Sequence, residues 1–546
     1  MKVRIKYGML PMVLCAAVLF SDCRSEESTT AESSEVTADA DYDASAAVTI
    51  SLEGETAVCA SDAVSVDGGR ITILDEGTYI FTGTLDNGQV VVNADDSDKV
   101  QIVLNGAAIT SETSAAIYSL EADKVFITLE DGTENHLANG GEFVAIDDNN
   151  IDAAVFSKTD LTLNGSGSLI VTSSAGHGVV SKDELTISGG SYQITAGSHG
   201  FAGKDSVAIA EGSFVITAGK DGIHAENADD AALGCLYIED GSFVIDAKGD
   251  AISSTGALQI DDGSYTLTTG GGSGAATMKS GDMMQRFGKT GTDDTKEVAS
   301  SDSTASCKGI KTDSALTVNG GTYTLDTADD GLHAGGDVMI SGGEWTIRTG
   351  DDGIHSDCAV VIQTGTFSIP YSFEGIEGQT VTIEDGTFEI TSNDDGMNAA
   401  GGADGSGTSY GFGHQDPFAV DEDCFITING GVITIVSNGD SLDSNGDLTV
   451  NGGTLNLTCN GNGNTAIDTN GTYMNNGGSV TTNDGSENGT GGKNGGRTGG
   501  KNGGLFDDGG ERPERGEKPA GGERPVGGER PVGGEKPAGD EVNLSQ

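Results

Sequence analysis

The feature that most constrains this chain is a recurring phrase. Leu-Thr-Ile-x-Gly-Gly-x-aromatic-x-Ile, with small variations, occupies 185–194, 316–325 and 338–347. Its second Gly returns at 190, 212, 241, 263, 321, 343, 365, 386, 431 and 453, and most gaps are 22 or 21 residues. Another Gly follows ten residues later, at 200, 222, 331, 353, 375 and 396. A fixed period of this size marks a solenoid, whose units bury a core only by stacking. Within each unit apolar and polar residues alternate, which is the period of a strand. Pro370 and Pro417 are the only prolines of the repeating body, as a long ladder of strands requires. The expectation is an all-β fold, a right-handed parallel β-helix with coils of about 22 residues stacked ~4.8 Å apart. A left-handed coil would show a six-residue repeat, which is missing.

Stacked coils turn equivalent residues into columns. Two places after the coil Gly stand Tyr192, Phe214, Phe243, Tyr265, Tyr323, Trp345, Phe367 and Phe388. They could form a sugar-stacking platform, but they share strand parity with Ile194, Ile216, Ile245, Leu325, Ile347 and Ile390. Both columns must face one way, so the aromatic ladder is predicted to be core and Thr195, Thr217 and Thr391 to face solvent.

The second Gly column carries the chemistry. It reads Ala328-Asp329-Asp330-Gly331-Leu332-His333, then Gly350-Asp351-Asp352-Gly353-Ile354-His355. Phe373-Glu374-Gly375-Ile376-Glu377 and Asn393-Asp394-Asp395-Gly396-Met397-Asn398 follow in register. An apolar residue after each Gly anchors the corner in the core, so Asp330, Asp352, Glu374 and Asp395 should stack at the bend at about 5 Å spacing. Like charges that close repel, and a bound divalent cation relieves them. Oxygen-only ligands favour Ca²⁺, with Asp329, Asp330, Asp351, Asp352, Glu374, Asp394 and Asp395 as the candidate ligands. The blander reading is a solvated acidic ridge of turn-forming Asp. His224, His333 and His355 stand two places after the Gly, in a column that continues as Glu377 and Asn398. Gly176-His177-Gly178 resembles a pectin-hydrolase motif, but its Gly178 aligns with Gly200 and Gly222, so His177 merely takes the place of an Asp.

Charge excludes partners. Between Ser25 and Thr490 there are 15 Lys/Arg against 74 Asp/Glu, within a formal net charge of −57. Such a body repels nucleic acid and anionic lipid. Residues 1–23 read as a signal peptide: Lys2, Arg4 and Lys6 precede an apolar run from Gly8 to Phe20. That run is too short to span a bilayer. Cys23 then opens a lipoprotein-like start, although Asp22 stands where a lipobox has a small residue. Residues 24–46 form a Ser/Thr/Glu-rich linker, 47–486 the β-helix, and 487–546 a disordered Gly/Pro/Glu/Arg tail. Insertions at about 270–306, with Met278, Met283, Met284 and Arg286, and at 401–421, with Tyr410, Phe412, His414 and Phe418, either bind or cover. Cys59, Cys235, Cys307, Cys358, Cys424 and Cys459 are too sparse for a secreted disulfide framework, so mostly unpaired thiols are expected. Cys358 and Cys424 share a column with Gln379 between them, which puts a bridge out of reach.

The Asp-Asp-Gly-Ile/Leu-His corners, the Leu-Thr-Ile-x-Gly-Gly-x-aromatic phrase and the lipoprotein-like start resemble a family of bacterial surface carbohydrate-binding domains from cellulose-degrading clostridia. The likeness covers about 47–486. It implies a right-handed, Ca²⁺-binding β-helix similar in shape to pectate lyases, which binds cellulose and polygalacturonate. The expected function is therefore non-catalytic, Ca²⁺-dependent polysaccharide binding by a monomer at the cell surface, lipid-anchored through Cys23. Two alternatives stand beside it. A pectin lyase would need a base, for which Arg348, Lys308 and Lys311 are the nearest candidates. A structural or adhesive rod would use Ca²⁺ for stability alone.

Overall fold

The computed structural model describes residues 41–276, 306–400 and 420–489. All of them belong to one unit, Met1–Asn494; the second unit, Gly495–Gln546, lies outside the described residues. So do Cys23, the named residues of both insertions and the Pro-rich tail.

The chain forms a parallel β-helix. One coil shows the pattern: Ser191–Ala196 runs along a first side, Phe201–Gly203 along a second, and Ser206–Ile209 along a third. Each pairs in parallel with its equivalent in the next coil: Tyr192 with Phe214, Phe201 with Ile223, Val207 with Leu236. The second side is a separate 16-stranded sheet, while the first and third belong to one of 30 strands. They merge near the N-terminus through the long strand Lys99–Ser111. Its first half pairs with Lys124–Leu129 and its second with Glu134–Asn139. The opening strands also depart from the all-parallel expectation: Val64–Asp67 and Arg70–Ile73 form an antiparallel hairpin.

Inside the coils the alternation holds. Ser191–Ala196 and Ser213–Ala218 are both exposed and buried by turns. Thr195, Thr217 and Thr391 face solvent. The aromatic column is core: neighbouring rings from Tyr192 to Phe388 stack with centroids 3.7–5.8 Å apart. The polar tips are satisfied locally, since Tyr192, Tyr265, Tyr323 and Trp345 each donate to the carbonyl three residues back.

The two Gly columns serve different ends. Gly321 and Gly343 have φ of 106° and 109°, the left-handed region that suits Gly. At Gly331 the issue is space, because an added Cβ would sit 2.5 Å from the carbonyl oxygen of Gly353. The register of Ala359, Thr380 and Phe425 keeps Gln379 between Cys358 and Cys424. Cys59, Cys235, Cys424 and Cys459 are free thiols.

Candidate functional site

The corner between the first and second sides gathers the acidic residues. The N–H after or at each corner Gly donates to the next coil's carbonyl, and these bonds trace one column. It runs His177, His199, Asp221, Asp250, Lys308, Asp330, Asp352, Glu374, Asp395, Asp440. The anchoring residues Ile223, Leu332, Ile354, Ile376 and Met397 are fully buried beside it. Asp330, Asp352, Glu374 and Asp395 thus stack as the spacing predicted.

Asp330, Asp352 and Asp395 divide their two carboxylate oxygens between roles. One oxygen accepts the backbone N–H of the next column residue: Asp352 N to Asp330 Oδ1 at 3.0 Å, Glu374 N to Asp352 Oδ1 at 3.2 Å, Asp440 N to Asp395 Oδ1 at 2.6 Å. This explains why Asp suits the position, since it ties coil to coil. The other oxygen of Asp330 meets Lys308 and His333, and that of Asp352 meets His355.

Two cationic side chains already serve the upstream end. Lys308, 4% exposed, reaches Asp330 Oδ2 at 2.6 Å and Asp329 Oδ2 at 3.2 Å. His355 Nδ1 lies 3.3 Å from Asp352 Oδ2 and 3.0 Å from Glu377 Oε2. Burial opposes a charge on His355, but those two carboxylates hold it protonated, up to about 11. Burial likewise opposes ionisation of Asp330, yet its bond with His333 and the Lys308 ammonium keep it below the usual carboxylate range. Further along the sign reverses. Burial, and then neighbouring carboxylates, push Asp352, Glu374 and Asp395 well above the usual range. Those facing Asp395 are Asp443, Asp394 and Asp440.

The seven predicted ligands do not make a single cluster. Asp329, Asp330 and Asp351 offer donor atoms within 4.8 Å of one another. The outer column is then interrupted by Phe373, which stands between Asp351 and Asp394. Asp394 and Asp395 lie two coils beyond Asp351 and Asp352, about 10 Å away, with Glu374 as the link. The sequence reading missed the continuation Asp440, Asp443 and Asp468, whose donor atoms also lie within 4.8 Å. A signal existed: apolar Leu442 precedes Asp443 just as Ile354 precedes His355. The Gly that marks the other corners is replaced there by Ser441.

The histidines are also arranged differently from the expectation. His333 and His355 do stack, with centroids 4.8 Å apart. His224 is separated from them in register by Ser253 and Lys311. It stacks at 4.3 Å on His199 of the preceding coil, which in turn stacks at 5.0 Å on His177. Of the basic candidates for a lyase, Lys308 is occupied by its two aspartates. Arg348 lies outward, its guanidinium 5.7 Å from the centre of the Tyr371 ring.

A curated relative from Acetivibrio thermocellus, a carbohydrate-binding domain-containing protein, is 36% identical over 137 residues. That match takes in 25% of this chain and 48% of the relative, so this chain spans about half the relative's length. Among solved structures, a polysaccharide lyase-like protein from C. thermocellum, in a gadolinium derivative, is 33% identical. It covers 41% of this chain and 92% of its own, with a TM-score of 0.40. The family model for carbohydrate-binding domain-containing proteins matches residues 67–353 and 351–495, and the chain belongs to that family.

Proposed function

We propose that this protein binds an anionic plant cell-wall polysaccharide, polygalacturonate or pectin, through Ca²⁺ held at the acidic corner. The binding of polysaccharide follows from the family; the observation that supports Ca²⁺ is the buried carboxylate column. Its donor set is oxygen, the spacing is that of the coils, and burial with neighbouring carboxylates pushes Asp352, Glu374 and Asp395 towards protonation, a cost that a bound divalent cation would relieve. Ca²⁺ accepts six to eight oxygens in a flexible arrangement. It would be held at separate places along the column, by Asp329, Asp330 and Asp351 at one and by Asp394 and Asp395 at another with Asp352 and Glu374 between, Asp329 and Asp330 sharing their charge with Lys308. A cation with incomplete protein coordination can take a sugar carboxylate in its open positions, joining a polyanion to a protein of net charge −57. A neutral polymer such as cellulose would need Ca²⁺ only for the fold.

The reading is non-catalytic, because the buried Lys308 is engaged and is not placed as a base. Lipidation of Cys23 would put the protein at the cell surface; a palmitate label lost in Cys23→Ser tests that part separately. The central test is a pull-down of the protein on insoluble pectin and cellulose, with and without chelator. Polygalacturonate binding should disappear with chelator, and Asp352→Asn should weaken it more than Asp326→Asn. Equal binding with and without chelator, the fold remaining intact, would sink the bridging model. Release of an unsaturated, ultraviolet-absorbing uronide would establish a lyase instead.

A further inference from the structure

We propose a second cation site of different chemistry at the upstream end of the same corner, where His199, Asp221 and His224 bind a divalent transition metal such as Zn²⁺. One donor atom from each lies within 4.8 Å of the others. Asp221 Oδ2 is 2.9 Å from His224 Nδ1 and 3.4 Å from His199 Nδ1. Ligands at Zn–N and Zn–O lengths of about 2.0–2.1 Å stand roughly 2.9 Å apart at a right angle and 3.4 Å apart at a tetrahedral one. Both separations are those of neighbouring ligands on one ion.

The hydrogen bonds around the site orient all three side chains inward. His224 has a carboxylate on each ring nitrogen, Glu226 Oε2 3.0 Å from Nε2 and Asp221 Oδ2 2.9 Å from Nδ1, so a metal at Nδ1 would take the place of the proton shared with Asp221. A carboxylate on the far nitrogen is the usual support of a metal-binding histidine. The backbone N–H of Asp221 donates to His199 Nδ1 at 3.3 Å, so this nitrogen is the unprotonated one and a metal would displace that long bond from its lone pair. Asp221 Oδ1 accepts the N–H of Asp250 at 2.9 Å, leaving Oδ2 to face both rings. The Ser253 hydroxyl lies 2.7 Å from His224 Nδ1 and 3.0 Å from Asp221 Oδ2, and its single proton can serve only one of them. Three donor atoms therefore converge, joined by protons that a metal ion would replace. A cation completes the arrangement, and two imidazoles select a transition metal over Ca²⁺. The stacked rings of His177, His199 and His224 fix the imidazoles in place.

The test uses the full chain, stripped of metal and then held in excess Ca²⁺ so that the carboxylate column takes the harder ion. Titration with Co²⁺ should give one equivalent with visible d–d bands and no thiolate charge-transfer band. Zn²⁺ should displace it. His224→Asn, the residue the corner already accepts at Asn398, should remove that equivalent while the far-ultraviolet spectrum is kept. Glu226→Gln, which disturbs only the supporting bond, should weaken Co²⁺ about tenfold. Absence of a d–d-absorbing equivalent in the unmodified chain, or its persistence in a folded His199→Asn/His224→Asn variant, overturns the proposal.

Discussion

Gly353 shows how little room the corner leaves. A Cβ there would lie 2.5 Å from the carbonyl oxygen of Gly375 and 3.0 Å from Ile369 Cδ1. Overpacking against backbone costs roughly 1–3 kcal/mol. Gly353→Ala should therefore lower the unfolding free energy by that amount, read as a fall in the urea midpoint at unchanged slope, and an unchanged midpoint would show that the coils can part at no penalty. Cys424 makes a different point. It is 1% exposed, and burial, aided by Asp421, raises its thiol to about 12. Only the thiolate is alkylated. Iodoacetamide at pH 8 should leave Cys424 unmodified in the native protein and modify it in urea, as peptide mapping would show.

At the scale of the element, the aromatic ladder holds the first side in register. Trp345 lies between Tyr323 at 3.7 Å and Phe367 at 5.8 Å, and is 2% exposed. Trp345→Ala leaves a void in the centre of this column and should destabilise by about 3–5 kcal/mol. Thermal or denaturant unfolding checks this, and a loss below 1 kcal/mol would mean that the coils repack. These central coils were legible because most corners carry a Gly and the strands are short, so position along the chain maps directly onto position in the column. The N-terminal coils were not. Lys99–Ser111 runs through a bend as one strand, with no Gly period to mark the corner. The site divides in the same way. Asp330, Asp352, Glu374 and Asp395 follow from the 22-residue step, whereas the role of Lys308 depended on side-chain direction. The pairing of His199 with His224 depended on rings from two different columns leaning together, which no periodicity encodes.

On the scale of the whole molecule, each coil of a solenoid touches only its neighbours, so loss of a ligand is felt locally. If Ca²⁺ occupies the corner, chelator should lower the melting temperature, because a ligand bound only by the folded state adds to its stability. Hydrogen exchange should then quicken at the coils from Asp329 to Asp395 and stay unchanged over Gly77–Asn139. Uniform protection with and without chelator would mean that the ridge is merely solvated. Among the described residues no helix is long and apolar enough to cross a membrane.

The ring column also has a consequence for light. The chain has one tryptophan, and it stands in the same stack as Tyr192, Tyr265 and Tyr323. Excitation energy absorbed by these tyrosines has a continuous series of near-parallel rings along which to travel, and Trp345 is the lowest-energy chromophore on the route. In the folded rod their own emission should be quenched, with the photons leaving from Trp345. Unstacking the coils would separate donors from acceptor, so the intact molecule works as a small antenna whose tyrosine emission returns only when the rod comes apart.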